Sequence, residues 1–148
     1  MQKADDFHCL LSAPRQVKSG APLALHFKLV NTSKQQRSVL IWHTPLEGWW
    51  SRFLRVTREG EEIRYRGPMA KRVDPQRAEY RRLAPGKSAA ATLDLTAVYD
   101  LRQPGIYQVQ YIGGLFDAAP SGAKIPRPLS QHKPAKLLCP DLEIEVTP

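Results

Sequence analysis

The chain has no apolar run approaching the roughly 20 residues that a bilayer-spanning helix needs. It also lacks the short motifs that commonly announce an enzyme. None of His8, His26, His43 and His132 belongs to a His-Glu-x-x-His pair, which excludes the zinc site of the common metalloproteases. There is no Gly-x-Ser-x-Gly elbow, no phosphate-binding loop and no dinucleotide-binding glycine pattern. A nucleophile built from Cys9 and His8 fails on geometry, because neighbours on a strand point to opposite faces. We therefore expect no catalytic residue, no cofactor, no small-molecule substrate and no metal. Cysteine is scarce too, with Cys9 and Cys139 near the two ends. Their spacing fits no zinc pattern. Two readings stand: a bridge tying the first and last strands together, or two buried thiols. The amino-terminal stretch Met1-Gln2-Lys3-Ala4-Asp5-Asp6 lacks the basic start and apolar core of a secretory signal. That fits a cytoplasmic protein, or a mature form whose leader has been replaced by a start Met.

What is present is an ordinary globular composition over 148 residues, 42% hydrophobic and 24% charged, enough for one domain spanning 1–148 with a substantial core. No repeat and no domain boundary stands out. No long amphipathic helix is evident, which argues against α/β folds. Period-two alternation recurs instead. Leu23, Leu25, Phe27 and Leu29 share one face of the stretch 23–30, with His26 and Lys28 on the other. Further strands are expected at 39–42, 53–58, 62–66, 91–95, 105–112 and 142–146. Asn31-Thr32-Ser33, Glu59-Gly60-Glu61 and Leu83-Ala84-Pro85-Gly86 supply turns between them, and residues 96–101 read as one short helical turn. The pattern predicts an all-β, immunoglobulin-like antiparallel sandwich of about seven to eight strands. Residues 113–140 carry five prolines and little periodicity. They read as a long loop before the last strand, and loops of that length are usually functional or disordered.

Pro104-Gly105-Ile106-Tyr107 has the form of a tyrosine corner, in which Tyr107 bonds back to the preceding connection and pins the sheets. The structural residues expected are thus Tyr107, Cys9 and Cys139. Trp49 and Trp50 follow a strand in the loop His43–Trp50. Large aromatics on a loop often mark a binding site, although either could fold back to cap the sandwich. With Leu46 and Phe116 they form the expected partner-binding set. The net charge is +8, and ten of the 22 basic residues lie between Arg52 and Arg82 against five acidic ones. Arg52, Arg64, Arg66, Arg72, Arg81 and Arg82 are the basic patch. It could serve a polyanion such as nucleic acid or an anionic surface, or be a solvated face that keeps the protein soluble. No nucleic-acid-binding motif accompanies it.

An ordered series of short motifs resembles a known module. It runs through Val30-Asn31-Thr32, Thr44-Pro45-Leu46-Glu47-Gly48, Val56-Thr57-Arg58-Glu59-Gly60 and Tyr65-Arg66-Gly67-Pro68-Met69-Ala70-Lys71-Arg72. It continues with Tyr80, Leu83-Ala84-Pro85-Gly86-Lys87-Ser88, Leu93-Asp94-Leu95, Tyr99-Asp100-Leu101 and Pro104-Gly105-Ile106-Tyr107. Over roughly residues 17–112 the chain resembles the amino-terminal domain of bacterial lysine-specific metallo-endopeptidases of the deuterolysin family. In that family the module precedes a zinc peptidase domain, and none of that domain's catalytic residues is carried over here. The resemblance implies a β-sandwich accessory domain acting on a protein partner, a peptidase, as chaperone or inhibitor, in a periplasmic or secreted setting. A looser resemblance, to small intracellular proteinase inhibitors of the same fold, rests on the Asn-Thr, Pro-Gly and Gly-x-Tyr landmarks alone.

Overall fold

Strand by strand, the alternation in the sequence becomes burial. The computed structural model describes residues 2–3 and 6–148. Met1, Ala4 and Asp5, part of the polar amino-terminal stretch read above, lie outside the described residues. In β4 (Ala24–Asn31) Leu25, Phe27 and Leu29 are buried while His26 and Lys28 face solvent. It is the middle strand of a sheet with β2 (Phe7–Ser12) and β9 (Ser88–Asp94), both antiparallel to it. The facing sheet has five strands in the order β3 (Gln16–Lys18), β14 (Leu142–Thr147), β10 (Gly105–Tyr111), β6 (Leu54–Arg58) and β7 (Glu61–Ile63). Leu54, Val56, Tyr107, Val109, Ile144 and Val146 from this sheet meet Cys9, Leu11, Phe27 and Leu29 from the other in one buried cluster. The rings of Phe27 and Tyr111 stack across the gap at 5.9 Å.

The strand pair that leads into the sandwich, β2 and β3, is divided between the sheets. β2 pairs with β4 and ends at Ser12. Pro14 has no N–H to offer a ladder, and the chain crosses there to run as β3 parallel to β14. A leading strand shared by both sheets, with its second half parallel to the last strand, defines an immunoglobulin-like β-sandwich. The Glu59–Gly60 turn joins β6 to β7 with φ of 52° and 82°, the paired positive values of a two-residue hairpin whose twist matches its strands.

Three locks hold the sheets together. Tyr107 is buried and its hydroxyl donates to the Gln103 carbonyl at 2.6 Å, the geometry of a tyrosine corner. Tyr99 donates to the Leu54 carbonyl at 2.8 Å. Cys9 on β2 and Cys139, just ahead of β14, form a disulfide across a sequence separation of 130. A fourth tie is Asn31, fully buried at the end of β4. Its amide donates to the Gln35 and Leu83 carbonyls at 2.9 and 2.8 Å, and its oxygen accepts from the N–H and hydroxyl of Ser33.

The segment 113–140 is a long connection, as the sequence indicates, but it is more ordered than its composition suggests. It contains β11 (Gly114–Leu115), β12 (Ala118–Ala119) and β13 (Ala135–Lys136). β13 pairs with β11 and with β1 (Gln2–Lys3). β12 extends a small sheet of β5 (Arg37–Leu40) and β8 (Tyr80–Leu83). The strand expected at 39–42 therefore ends at Leu40, and it is central to this small sheet. Leu40, Trp42 and Tyr80 form a second apolar cluster, packed by Phe116 and Ile125 from the long connection. A buried carboxylate anchors it. Asp117 accepts from Tyr80 at 2.7 Å, from both arms of the Arg127 guanidinium, and from the Lys133 N–H at 3.3 Å. Burial alone would raise the Asp117 carboxyl, but Arg127, Tyr80 and Lys133 together hold it below the usual range. Burial, reinforced by the bond to this carboxylate, pushes the Tyr80 phenol up to about 12.

Candidate functional site

The loop 41–51 is shaped by hydrogen bonds of its own, formed by Thr44 and Glu47. Thr44 caps a short 3-10 turn, Pro45–Glu47, accepting from the Leu46 N–H and donating to the Ile41 carbonyl. The buried Glu47 carboxylate folds back to accept from the His43 N–H at 2.7 Å and to pair with Arg72. This geometry separates the two tryptophans. Trp49 turns inward: its ring stacks on Phe53 at 5.0 Å and its indole N–H donates to the Asp94 carbonyl at 3.2 Å. Trp50 remains 51% exposed, and its carbonyl accepts from the Ala70 N–H at 2.8 Å. That bond brings the segment 67–70 alongside, where Met69 is also exposed. Leu46 is half-buried against the main core. Phe116 is half-buried, stacked on the His43 ring at 4.0 Å.

The six arginines of the basic patch do not form one surface. Arg52 and Arg64 line an open groove of about 790 Å³ with Arg55, Glu62, Tyr65, Gly67, Met69 and Ile112. Arg52 pairs there with Glu62. Arg66 lies in a separate hollow with Asp100, 3.6 Å away. Arg102 and Arg66 hold the Asp100 carboxyl down at about 2. Arg72 is committed to structure: it bridges Glu47 and Glu79 and lies 4.9 Å over the Trp42 ring. Arg81 and Arg82 are exposed on β8, opposite Val39 and Ser38 of the small sheet.

Beside the groove, and sharing Arg52 and Ile112 with it, is a cleft of about 370 Å³ lined also by His43, Tyr111, Gly113, Gly114, Leu115, Phe116 and Lys136. Its floor is largely apolar, and its charged rim is Arg52 and Lys136. His43 stands at a φ of 58°, uncommon for a residue with a side chain. Its backbone bonds to Glu47 and Tyr111, and its ring is free to stack on Phe116. Burial, with the nearby Arg72 charge, lowers the His43 pKa and favours the neutral ring. Gly113 makes the close approach: a Cβ there would lie 2.8 Å from the His43 carbonyl. Sequence reasoning missed this cleft, together with Arg55, Met69, Ile112 and Lys136. The Gly113-Gly114 pair directly after the strongest strand was the one local signal of a close backbone contact.

Fold and surface together describe an immunoglobulin-like β-sandwich with a mixed apolar and basic face beside its exposed tryptophan. No protein-family model matches the chain. Over 88 residues, 60% of its length, it is 27% identical to an extracellular protease of Aeromonas hydrophila, and it spans 25% of that protein. Among solved structures it is similar to the CARDB domain of a Pyrococcus furiosus protein crystallised in complex with di-metal ions. That match has a TM-score of 0.40 at 10% identity, covering 99% of this chain and 93% of the other. The solution structure of the same domain matches with a TM-score of 0.39 at 12% identity, covering 99% and 98%. Among the described residues, no helix is long and apolar enough to cross a membrane.

Proposed function

We propose that this chain is a non-enzymatic accessory module that docks on a peptidase, as chaperone or inhibitor. The observation that carries the reading is the sequence similarity to a quarter of the length of an extracellular protease. A match confined to part of a larger hydrolase suits a companion module better than the hydrolytic domain itself. The resemblance to the module preceding the deuterolysin-type peptidase domain supports the same reading. So does the surface: tryptophan, methionine and arginine are the residue types enriched at protein interfaces. Trp50, Met69 and Ile112 are exposed, and Met69 and Ile112 line the groove with Arg52, Arg55 and Arg64. The disulfide favours an oxidising compartment, where a secreted peptidase would also be found.

The test is direct. The purified chain is titrated into a deuterolysin-type metallopeptidase from the same organism, and both complex formation and peptide hydrolysis are followed. Saturable binding with a change in hydrolysis rate, or a raised yield of active enzyme on refolding, is expected. The absence of both binding and any effect on refolding would sink the proposal.

A further inference from the structure

We infer that the cleft and groove on either side of Ile112 form one continuous site for an acidic peptide segment carrying a single large apolar anchor. The inference rests on the protein-docking reading above and names the chemistry of the segment that docks.

Three observations support it. The two concavities share Arg52 and Ile112, so a ligand can run from one into the other without leaving the surface. They differ in character. The cleft offers Tyr111, Ile112 and Phe116 to an apolar side chain, and its volume of about 370 Å³ accommodates one such group with its flanking backbone. Among the described residues the groove offers Arg52, Arg55 and Arg64 against the single carboxylate of Glu62, an imbalance that favours negative charge. Lys136 adds a second positive charge to the cleft lining, and among the described residues no carboxylate lines the cleft.

The cleft is also preorganised. Phe116 stacks on His43, whose unusual backbone is held by the Glu47 carboxylate and the Tyr111 hydroxyl. Preorganised walls lower the ordering cost of binding. The neutral ring favoured for His43 adds no positive charge, so the electrostatic attraction comes from the arginines and Lys136. An aromatic or branched side chain thus enters beside Phe116, and aspartates or glutamates on the same segment meet Arg52, Arg55 and Arg64.

The probe is a short fluorescein-labelled peptide of aspartate and glutamate with one central phenylalanine. Its controls are the same peptide with lysine for every acid, and with glycine for phenylalanine. Anisotropy titrations of the intact oxidised chain should show saturable binding of the first peptide only, weakening as salt is raised. Arg64→Glu and Ile112→Glu alter exposed groups at the two concavities, and each should raise the Kd about tenfold or more. Thermal melts confirm that both variants stay folded. Equal affinity for the lysine peptide, no loss with the glycine peptide, or indifference to both substitutions would overturn the site. So would a single-stranded oligonucleotide that displaces the peptide at lower concentration than unlabelled peptide does. The two proposals separate cleanly. A peptidase complex indifferent to Arg64→Glu and Ile112→Glu overturns this site alone. Specific peptide binding without any peptidase complex overturns the peptidase reading alone.

Discussion

Breaking the bond between Cys9 and Cys139 should cost this protein a large share of its stability. The two cysteines are separated by 130 residues, so the closed loop is nearly the whole chain. In the chain-entropy account, closing a loop of that size removes about 5 kcal/mol of conformational freedom from the unfolded state. Residual order in the unfolded chain reduces that figure, so a loss of about 3–5 kcal/mol is expected. Unfolding entropy near the midpoint scales with chain length, and for this chain the loss corresponds to a fall in Tm of about 10–15 °C. The assay compares the oxidised protein with the Cys9→Ala, Cys139→Ala double variant by scanning calorimetry, with intact mass confirming the bond in the former. Cys9 is buried on β2 and alanine leaves a small cavity there, so the oxidised and reduced forms of the unmutated chain are compared as well. The reasoning is refuted if a confirmed bond changes Tm by less than about 3 °C in both comparisons. It is refuted equally if the refolded protein never forms the bond in oxidising buffer.

Arg127→Ala should lower stability by about 3–5 kcal/mol in urea unfolding, because it strips the two-armed partner from the fully buried Asp117. Asn31→Asp should cost about 3 kcal/mol or more by the same measure, since it replaces two buried donors with a charge facing the carbonyls of Gln35 and Leu83. Tyr107→Phe keeps the ring but deletes the bond to Gln103, and should cost about 1–2 kcal/mol. Acid should act through Asp94, Asp100 and Asp117, all held below their ordinary value of 3.8. A depressed carboxyl contributes stability that is fully present above its unfolded pKa and is lost as pH falls through its folded one. With the His43 ring held below its ordinary 6.5 by burial and Asp100 at about 2, Tm should ease down as pH drops below about 6.5 and fall further between about pH 4 and about pH 2. A profile that stays flat between about pH 4 and about pH 2 would contradict this assignment.

Much of the sandwich was legible because its signals are local. Alternation in 23–30, 105–112 and 142–146 encodes which side chains face the core, and Glu59-Gly60 and Pro85-Gly86 encode turns through their own backbone preferences. β2, β3 and β8 were not read. Three-residue β3 and four-residue β8 are too short to show a period, and β8 carries Arg81 and Arg82 side by side. The candidate site was less legible. Trp49 and Trp50 are identical neighbours in sequence, and the cap at Thr44 with the fold-back of Glu47 sends one to Phe53 and leaves the other exposed. The arginines between 52 and 82 read as one patch along the chain. The strands carrying them diverge, and Arg72 finds Glu47 and Glu79 while Arg66 finds Asp100.

By itself, the sequence determined the all-β class, the corner at Tyr107 and the turn at Asn31-Thr32-Ser33. Each depends on residues close in the chain or on a periodicity that any half-buried strand must show. Tertiary structure decided the rest. It chose the bridge over two free thiols for Cys9 and Cys139, since only the folded chain brings positions 130 apart to Cα atoms 5.0 Å from each other. It gave the proline-rich connection a core of its own, because Phe116 and Ile125 have nothing apolar to cover until β5 and β8 place Leu40, Trp42 and Tyr80 beneath them. It also made the cleft, whose walls come from His43, Arg52, Phe116 and Lys136, residues that no local pattern joins.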